Sequence, residues 1–502
     1  MKRRSLTGQT GRKVVRRAAW LTVLTLAGLG TTARAAEVSE VTSSFYDKDD
    51  LFDVNVGLFY NRSLRRGAIR RELTGRDASQ AAVEIVKELR YSQTIHTLSL
   101  RTEVGLWRDL QLHFELPIVL SDSRELRFAQ AGGDPCVTLP EPNCVDRTNS
   151  TLVRDGLLDG SLIGPDQVTV AGDSGPLDPA TGSPVGAPGG RWLPERSGID
   201  QLYLGLSGAL LNQARDPTKP TWIVGFEARI SVGDPMEYNP RLDADGNGVP
   251  DLGAPEANTS VSRGIHQLHW WMTVSRLFPY LDAWTGFHYM LPVARDSSLF
   301  SKTDFDGSGQ ERSDPRHVGW LEAGVEVIPW EREATKSKIT IELSGRLEGI
   351  FEGRGYSPLW ELLAHQPGLQ RDCLVDGPPL SWDNGTYCRG GGVIPYPGIT
   401  SIEAHLNVFA ALAVNAQINK WIKARIGVSL GHEQEHFITT ADAGKSFCDP
   451  ANPGPGCAGR LDLGDPRQVN PMYRPMIDAP GRRLQVAEAT IFDFFVSATA
   501  MF

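Results

Sequence analysis

The chain has 502 residues, 40% of them hydrophobic and 22% charged, with 60 Asp and Glu against 51 Lys and Arg and a formal net charge of -9. An acidic balance of this kind excludes a nucleic-acid partner held by a basic face. No run reaches the roughly 18 apolar residues of a membrane helix, so the chain can cross a bilayer only with strands closed into a barrel.

The first stretch is an export signal. Lys2, Arg3, Arg4, Lys13, Arg16 and Arg17 precede the apolar 18–29 and the small-residue segment Ala33-Arg34-Ala35-Ala36. A basic region, a short apolar region and an A-x-A-like site predict a secretory signal over residues 1–35. A short segment, 36–49, follows it, too brief for an energy-coupling plug or a passenger domain.

From residue 50 to 502 the hydrophobic period is two. In 51–62, Phe52, Val54, Val56, Leu58 and Tyr60 take one face and Asp53, Asn55 and Asn61 the other, which predicts a strand. Arg65, Arg66, Arg70 and Arg71 come next, placed above the strand, followed by Ala82, Ile85, Val86 and Leu89, whose spacing suits a helical turn as well as an extended strand. The arginines have two readings: a phosphate-binding cluster, or a solvated run paired with Glu72, Glu84 and Glu88. Strands are predicted at 94–106 and 110–121, joined by Trp107-Arg108-Asp109, and then a Pro/Gly/Asp-rich excursion runs to about residue 198. A loop of that length does not belong in a compact soluble domain.

The same rhythm continues. Strand pairs at 199–211 and 222–232, 265–277 and 281–291, 318–328 and 339–351, and 402–414 and 421–432 meet at short turns, and long loops separate one pair from the next. The last stretch, Leu484 to Phe502, puts Leu484, Val486, Phe492, Phe494, Val496, Ala498, Ala500 and Phe502 on one parity, broken only by Glu488 and Thr490. Trp107, Trp222, Phe278, Trp330, Trp421 and Phe502 all fall at short-turn ends, where an aromatic girdle marks a membrane interface.

A long alternating final strand that stops on an aromatic resembles the C-terminal strand of bacterial outer-membrane β-barrels, and the chain resembles porin-like members of that class. The resemblance implies an all-β fold: a transmembrane, antiparallel, up-and-down barrel over 50–502 in the Gram-negative outer membrane. About twelve strands, short periplasmic turns and long extracellular loops are expected.

The parity opposite the lipid face predicts the interior. It contains Arg101, Glu103, Glu115, Glu227, Arg229, Asp282, Glu322, Glu326, Glu342, Arg346, Glu403, Lys423 and Arg425 as candidate pore-lining residues, with Asp53, His113, His269, His288, Glu348, His405 and Asp493. Acids outnumber Lys and Arg about two to one on this parity, which predicts a weakly cation-preferring, water-filled lumen. The alternative is a closed interior whose charges pair across the wall.

The six cysteines pair off within long loops, Cys136 with Cys144, Cys373 with Cys388 and Cys448 with Cys457, which in an exported chain reads as three local disulfides. Zinc binding and free thiols are the alternatives. Asp243-Ala-Asp245-Gly-Asn247-Gly-Val-Pro-Asp251 resembles the calcium loops of thrombospondin type 3 and dockerin-like repeats, which implies Ca2+ held by Asp243, Asp245, Asn247 and Asp251. Asp304-Phe-Asp306-Gly-Ser308-Gly-Gln-Glu311 is a looser copy, with Arg312 where the last aspartate belongs.

Gly172-Asp173-Ser174-Gly175-Pro176 spells a serine-protease nucleophile motif, but no companion histidine motif accompanies it, and a serine without its base is inert. Ser429, His432 and His436 lie close together in sequence without forming a triad spacing. No catalytic residue is assigned. The expected function is passive passage of small hydrophilic solutes. A second class is a surface platform that docks an envelope, polysaccharide-export or motility assembly, and a remote third is a rim-active lipid hydrolase. Expected partners are outer-membrane lipid, lipopolysaccharide, small solutes and surface proteins.

Overall fold

The computed structural model describes residues 53–74, 83–129, 145, 149–157, 195–237, 259–296, 298–300, 314–364, 369, 371–373, 392–394, 396–444, 470 and 472–502. The predicted leader, the segment 36–49, both calcium-like loops, the Gly172–Pro176 motif and every cysteine except Cys373 lie outside these residues.

Twelve long strands close into one antiparallel barrel. They are β1 Val54–Thr74, β2 Val83–Trp107, β3 Leu110–Phe128, β4 Gln201–Leu211, β5 Thr221–Ser231 and β6 Ile265–Phe278, then β7 Leu281–Ala294, β8 Val318–Arg332, β9 Ser337–Ile350, β10 His405–Gln417, β11 Ile422–Glu433 and β12 Leu484–Met501. Each pairs with its sequence neighbour, and β12 returns to β1 from Asn55↔Met501 to Arg71↔Leu484. Closure removes the sheet edge, the condition for placing backbone in hydrocarbon.

The outward residues are apolar and exposed: Leu58, Leu100, Leu206, Leu321, Leu343, Leu412 and Leu430 among them. In water such a band would be a large aggregation patch, whereas facing lipid it is the expected surface. Trp107, Trp222, Phe278, Trp330, Trp421 and Phe502, joined by Tyr280, are exposed at the short-turn ends, as the girdle requires. Two turns have only two residues, Arg108-Asp109 and Pro279-Tyr280, and in the first Arg108 takes φ 49°, the left-handed geometry common in such hairpins.

Two kinds of difference from the sequence reading stand at the outer end: longer strands, β3 too running to Phe128 and not 121, and a bulge. β1 and β2 have 21 and 25 residues, so the arginine stretch and 83–89 are strand and not loop. About ten residues cross a membrane. The surplus stands above it as a curved wall whose inner face is apolar, with Ile69, Leu89, Tyr91, Leu126 and Phe128 buried.

The second difference is a bulge. Arg66 pairs with Thr490 and Ala68 with Ala487, so Gly67 alone opposes Glu488 and Ala489, and Glu488 takes φ 54°. One extra residue exchanges the two faces. Phe492 and Val496 therefore face lipid, while Leu484 and Val486, predicted on the same face, turn into the buried core above the membrane. Glu488 points outward to Arg70 (2.7 Å) and Lys87 (2.6 Å), which is why it interrupts the apolar pattern.

Among the described residues the loops lay three short helices against that upper wall: α1 Thr151–Arg154, α2 Trp360–Ala364 and α3 Pro475–Asp478. Leu152, Leu363 and Ile477 join Ile69, Leu89 and Leu484 in one apolar cluster, forming a cap over the outer end. Buried polar pairs fasten it. Glu88 accepts from Ser150 Oγ (2.8 Å) and from Thr151 Oγ1. Arg71, also buried, donates to Thr151 O (2.9 Å) and Asp155 Oδ2 (2.7 Å). Arg483 donates two bonds to Glu72 (2.9 and 2.8 Å). Arg71 is therefore not a surface phosphate ligand, and Glu72 and Glu88 hold the cap.

Candidate functional site

Strand parity turns polar residues inward along most of the barrel, and in the lower half they enclose a chamber of about 490 Å³. It runs from Lys338, Gln417 and Thr499 near the short-turn end to Tyr203, Arg229 and His288 at mid-height. Inward glycines make room for its aromatic lining: a Cβ on Gly225 would stand 2.1 Å from the Trp271 ring, and one on Gly205 2.2 Å from the His113 ring.

Above the chamber floor a belt of hydrogen bonds follows the wall across five strands. His113 Nε2 meets Glu227 Oε2 at 2.8 Å, and the other Glu227 oxygen takes Arg229 Nε at 2.7 Å and faces His269 Nδ1 at 3.4 Å. His269 Nε2 then meets His288 Nδ1 at 3.1 Å, and His288 Nε2 meets Glu322 Oε1 at 3.0 Å. Trp271 and Trp320 stack on these imidazoles at 5.0 and 4.5 Å. A buried carboxylate is costly unless satisfied, and Glu227 has three nitrogen partners. The belt therefore fixes the shape of the chamber's upper wall.

Of the predicted interior residues, Arg101, Glu103, Glu115, Glu227, Arg229, Glu326, Lys423 and Arg425 lie together around the chamber. Arg101 bridges Glu103 at 2.9 Å and approaches Glu115 at 3.9 Å. Glu342 pairs with Arg425 at 3.1 Å, and Asp282 is buried in the wall beside Glu326, its register partner. Glu322 caps the belt, while Arg346 lies 4.1 Å over the Phe409 ring and 3.7 Å from Glu348. Glu403 is elsewhere: it precedes β10, is exposed, and accepts from Phe437 N at 3.0 Å.

The acid excess expected from parity is not a property of the chamber. Its lining has four carboxylates, Glu103, Glu115, Glu227 and Glu326, against five cations, Arg101, Arg229, Lys338, Lys423 and Arg425. Lys338 was missed because it starts its strand beside the turn, where inward and outward are hard to assign. The surplus acids are used elsewhere, Glu403 outside the lumen and Glu342, Glu348 and Asp282 within the wall.

At the outer end three buried side chains converge. His405 opens β10, Glu433 ends β11 and His436 lies just beyond, all within 4.8 Å of one another by their ligating atoms. The imidazoles stack at 3.5 Å with an interplanar angle of 9°. His405 Nδ1 bonds Glu403 O and His436 Nδ1 bonds Gln434 O, each at 2.9 Å, so both rings carry their proton on Nδ1. Each Nε2 then faces Glu433 Oε1, at 4.0 and 3.7 Å. Arg65 donates to the same oxygen. Burial lowers the pKa of His436, and the Arg316 guanidinium nearby is brought down to about 10 by burial and by the charge of Arg65. Sequence parity found His405 and left His436 unassigned, because the cluster is assembled from separate segments.

Ser429 and His432 fall on opposite faces of β11, Ser429 inward and His432 exposed, so the structure does not bring that pair together.

No protein-family model matches the chain, and no curated protein matches it. Among solved structures it is similar to an outer membrane channel from Pseudomonas putida F1, with 9% identity, 89% of this chain and 95% of that one covered, and a TM-score of 0.33. A Pseudomonas aeruginosa FadL homologue gives 6% identity, coverage of 89% and 90%, and a TM-score of 0.30. The outer membrane protease OmpT from Escherichia coli gives 7%, 90% and 96%, and 0.24. At these scores the likenesses carry no argument. The barrel's own build does: closed antiparallel strands, a lipid-facing apolar band, an aromatic girdle and a polar interior make this chain a multi-pass β-barrel of the Gram-negative outer membrane.

Proposed function

We propose that the protein is a loop-capped channel through which small hydrophilic solutes cross the outer membrane. The observation that carries this reading is the chamber: about 490 Å³ of space inside a membrane barrel, lined by charges of both signs. A barrel that only held its own wall would fill that space with side chains, as small barrels do. The volume suits a small solute. Four carboxylates interleaved with five cations favour neutral or zwitterionic polar molecules over either ion class. The cap sits on the other end, and its displacement is the gating step. The decisive experiment is solute-driven swelling of liposomes that hold the refolded mature protein. Entry of small neutral sugars at a rate that falls when Arg425 and Lys423 are replaced by Trp supports the reading, and impermeable liposomes with correctly inserted barrels oppose it.

A second reading has its own support. The cap is built like a small domain core on strands that rise above the membrane, as a docking platform would be. Calcium at Asp243, Asp245, Asn247 and Asp251 and disulfides within the long loops belong to that surface. The exposed Arg62 and Arg66 on the outer wall suit lipopolysaccharide phosphates. Capture of a surface partner by the barrel with an intact cap, and its loss when the cap is removed, would favour the platform.

A further inference from the structure

We propose that His405, Glu433 and His436 form a binding site for one borderline divalent transition-metal ion of the zinc class, at the junction between the barrel wall and the cap. With each Nδ1–H committed to a backbone carbonyl, both Nε2 atoms are acceptors, and they face a carboxylate oxygen that is an acceptor too. Among the described residues no N–H or O–H reaches either Nε2. Three acceptors on buried residues that converge without a donor between the imidazoles form an arrangement that a cation among them would satisfy.

The donor set and its surroundings suit a metal. Two imidazoles and one carboxylate are a frequent zinc ligand set that leaves a fourth position open. An Nδ1–H bonded to a backbone carbonyl is the usual way a ligating histidine is oriented, and here both rings have it. Arg65 supplies the corresponding support to the carboxylate. Bonds of 2.0–2.2 Å at a tetrahedral ion put ligand atoms about 3.3 Å apart. The observed 3.7 and 4.0 Å to the carboxylate, within a cluster whose ligand atoms all lie within 4.8 Å, exceed that by about 0.4 to 0.7 Å, a gap that rotation of the two rings out of their stack would have to close on binding. A single carboxylate offers too few oxygen ligands for calcium or magnesium, which take six or more. Imidazole nitrogen selects zinc, cobalt, nickel or copper instead.

The position gives the ion a role. His405 belongs to a transmembrane strand, and His436 begins the two-residue strand His436–Phe437 that pairs with β12 at Val486 and Gln485, under the cap core. A metal bond between them links β10 to the short strand that continues the wall beside β12, beneath the apolar cluster that the loop helices cover. Binding therefore fastens two separate segments of the outer rim beneath the cap.

The test is titration of the refolded, mature full-length barrel in detergent with Zn2+, followed calorimetrically, and with Co2+, followed by visible absorption. The expected result is one equivalent bound and an intense four-coordinate Co2+ spectrum. Affinity should fall about 100-fold or more in His405→Ala and in His436→Ala, and stay unchanged in His96→Ala on the outer wall. No stoichiometric binding by the wild-type barrel overturns the proposal, as does binding that survives both substitutions. If the variants do not fold, zinc-edge absorption on the wild-type protein decides: a four-atom shell with two imidazoles supports the site, and a six-oxygen shell overturns it.

Discussion

Replacing Glu361 by Gln tests whether the cap is a gate. Arg196 Nη2 reaches Glu361 Oε1 at 2.9 Å, with the two side chains 1% and 6% exposed, and this bond ties α2 to the short strand Arg196–Gly198 on the barrel wall. The guanidinium also donates to Ser260 O at 2.9 Å and Glu237 O at 3.1 Å and lies 5.2 Å from the Trp360 ring. Removing one partner of a buried ion pair costs about 3–5 kcal/mol. Because two carbonyl bonds persist in the variant, the low end applies. About 3 kcal/mol corresponds to a shift of roughly 150-fold toward the open cap. The assay is single-channel recording of wild type and variant, with limited proteolysis of the loops as an independent measure of opening. Arg196→Met with Glu361→Leu, which removes both charges together, should recover most of the closed behaviour. Proteolysis that rises about a hundredfold while open probability stays at the wild-type level would refute the gating argument, since the cap would open without admitting solute.

Three further outcomes follow from the same geometry. Gly225→Ala places a methyl where the Trp271 ring lies, 2.1 Å away, so the indole must move into the chamber; a loss of about 1–3 kcal/mol in urea unfolding and a smaller conductance are expected. Asp478 on α3 is pushed up to about 7 by burial, against the pull of the Arg474 and Ala441 amides and of Arg474. A carboxyl with a raised folded-state pKa contributes stability that is full below its unfolded value near 4 and is lost as pH rises through about 7. Amide exchange in α3 should therefore accelerate between about pH 4 and 7 beyond its intrinsic rate, and Asp478→Asn should abolish that excess. Arg425→Gln leaves Glu342 without its 3.1 Å partner and tips the chamber from five cations to four, so reversal-potential measurements should move toward cation preference.

The membrane-crossing part of the fold was legible because lipid and lumen impose a strict period of two. Ile265–Phe278, Leu281–Ala294 and Ile422–Glu433 fall within a few residues of their expected bounds. It failed where that constraint ends. Above the membrane the inner face of β1, β2 and β12 is as apolar as the lipid face below, so Ile69, Leu89, Leu484 and Val486 carry no local sign of which side they face. The exchange of faces at Glu488 depends on one bulged residue, visible in the sequence only as an unexplained acid in an apolar run. The interior was legible as a set of residues and not as pairs. Glu227 serving His113, Arg229 and His269 depends on two other strands, β3 and β6, and the separation of chamber charges from wall charges likewise depends on neighbouring strands. His405, Glu433 and His436 come together only because β10 and β11 end at one height.

The most direct measurement of the central claim is conductance of the mature barrel in a planar bilayer, wild type beside Glu361→Gln. A capped channel predicts rare, ohmic, weakly selective openings in the wild type and frequent openings of the same size in the variant. Silence from both proteins, with insertion verified by heat-modifiable migration, would contradict it.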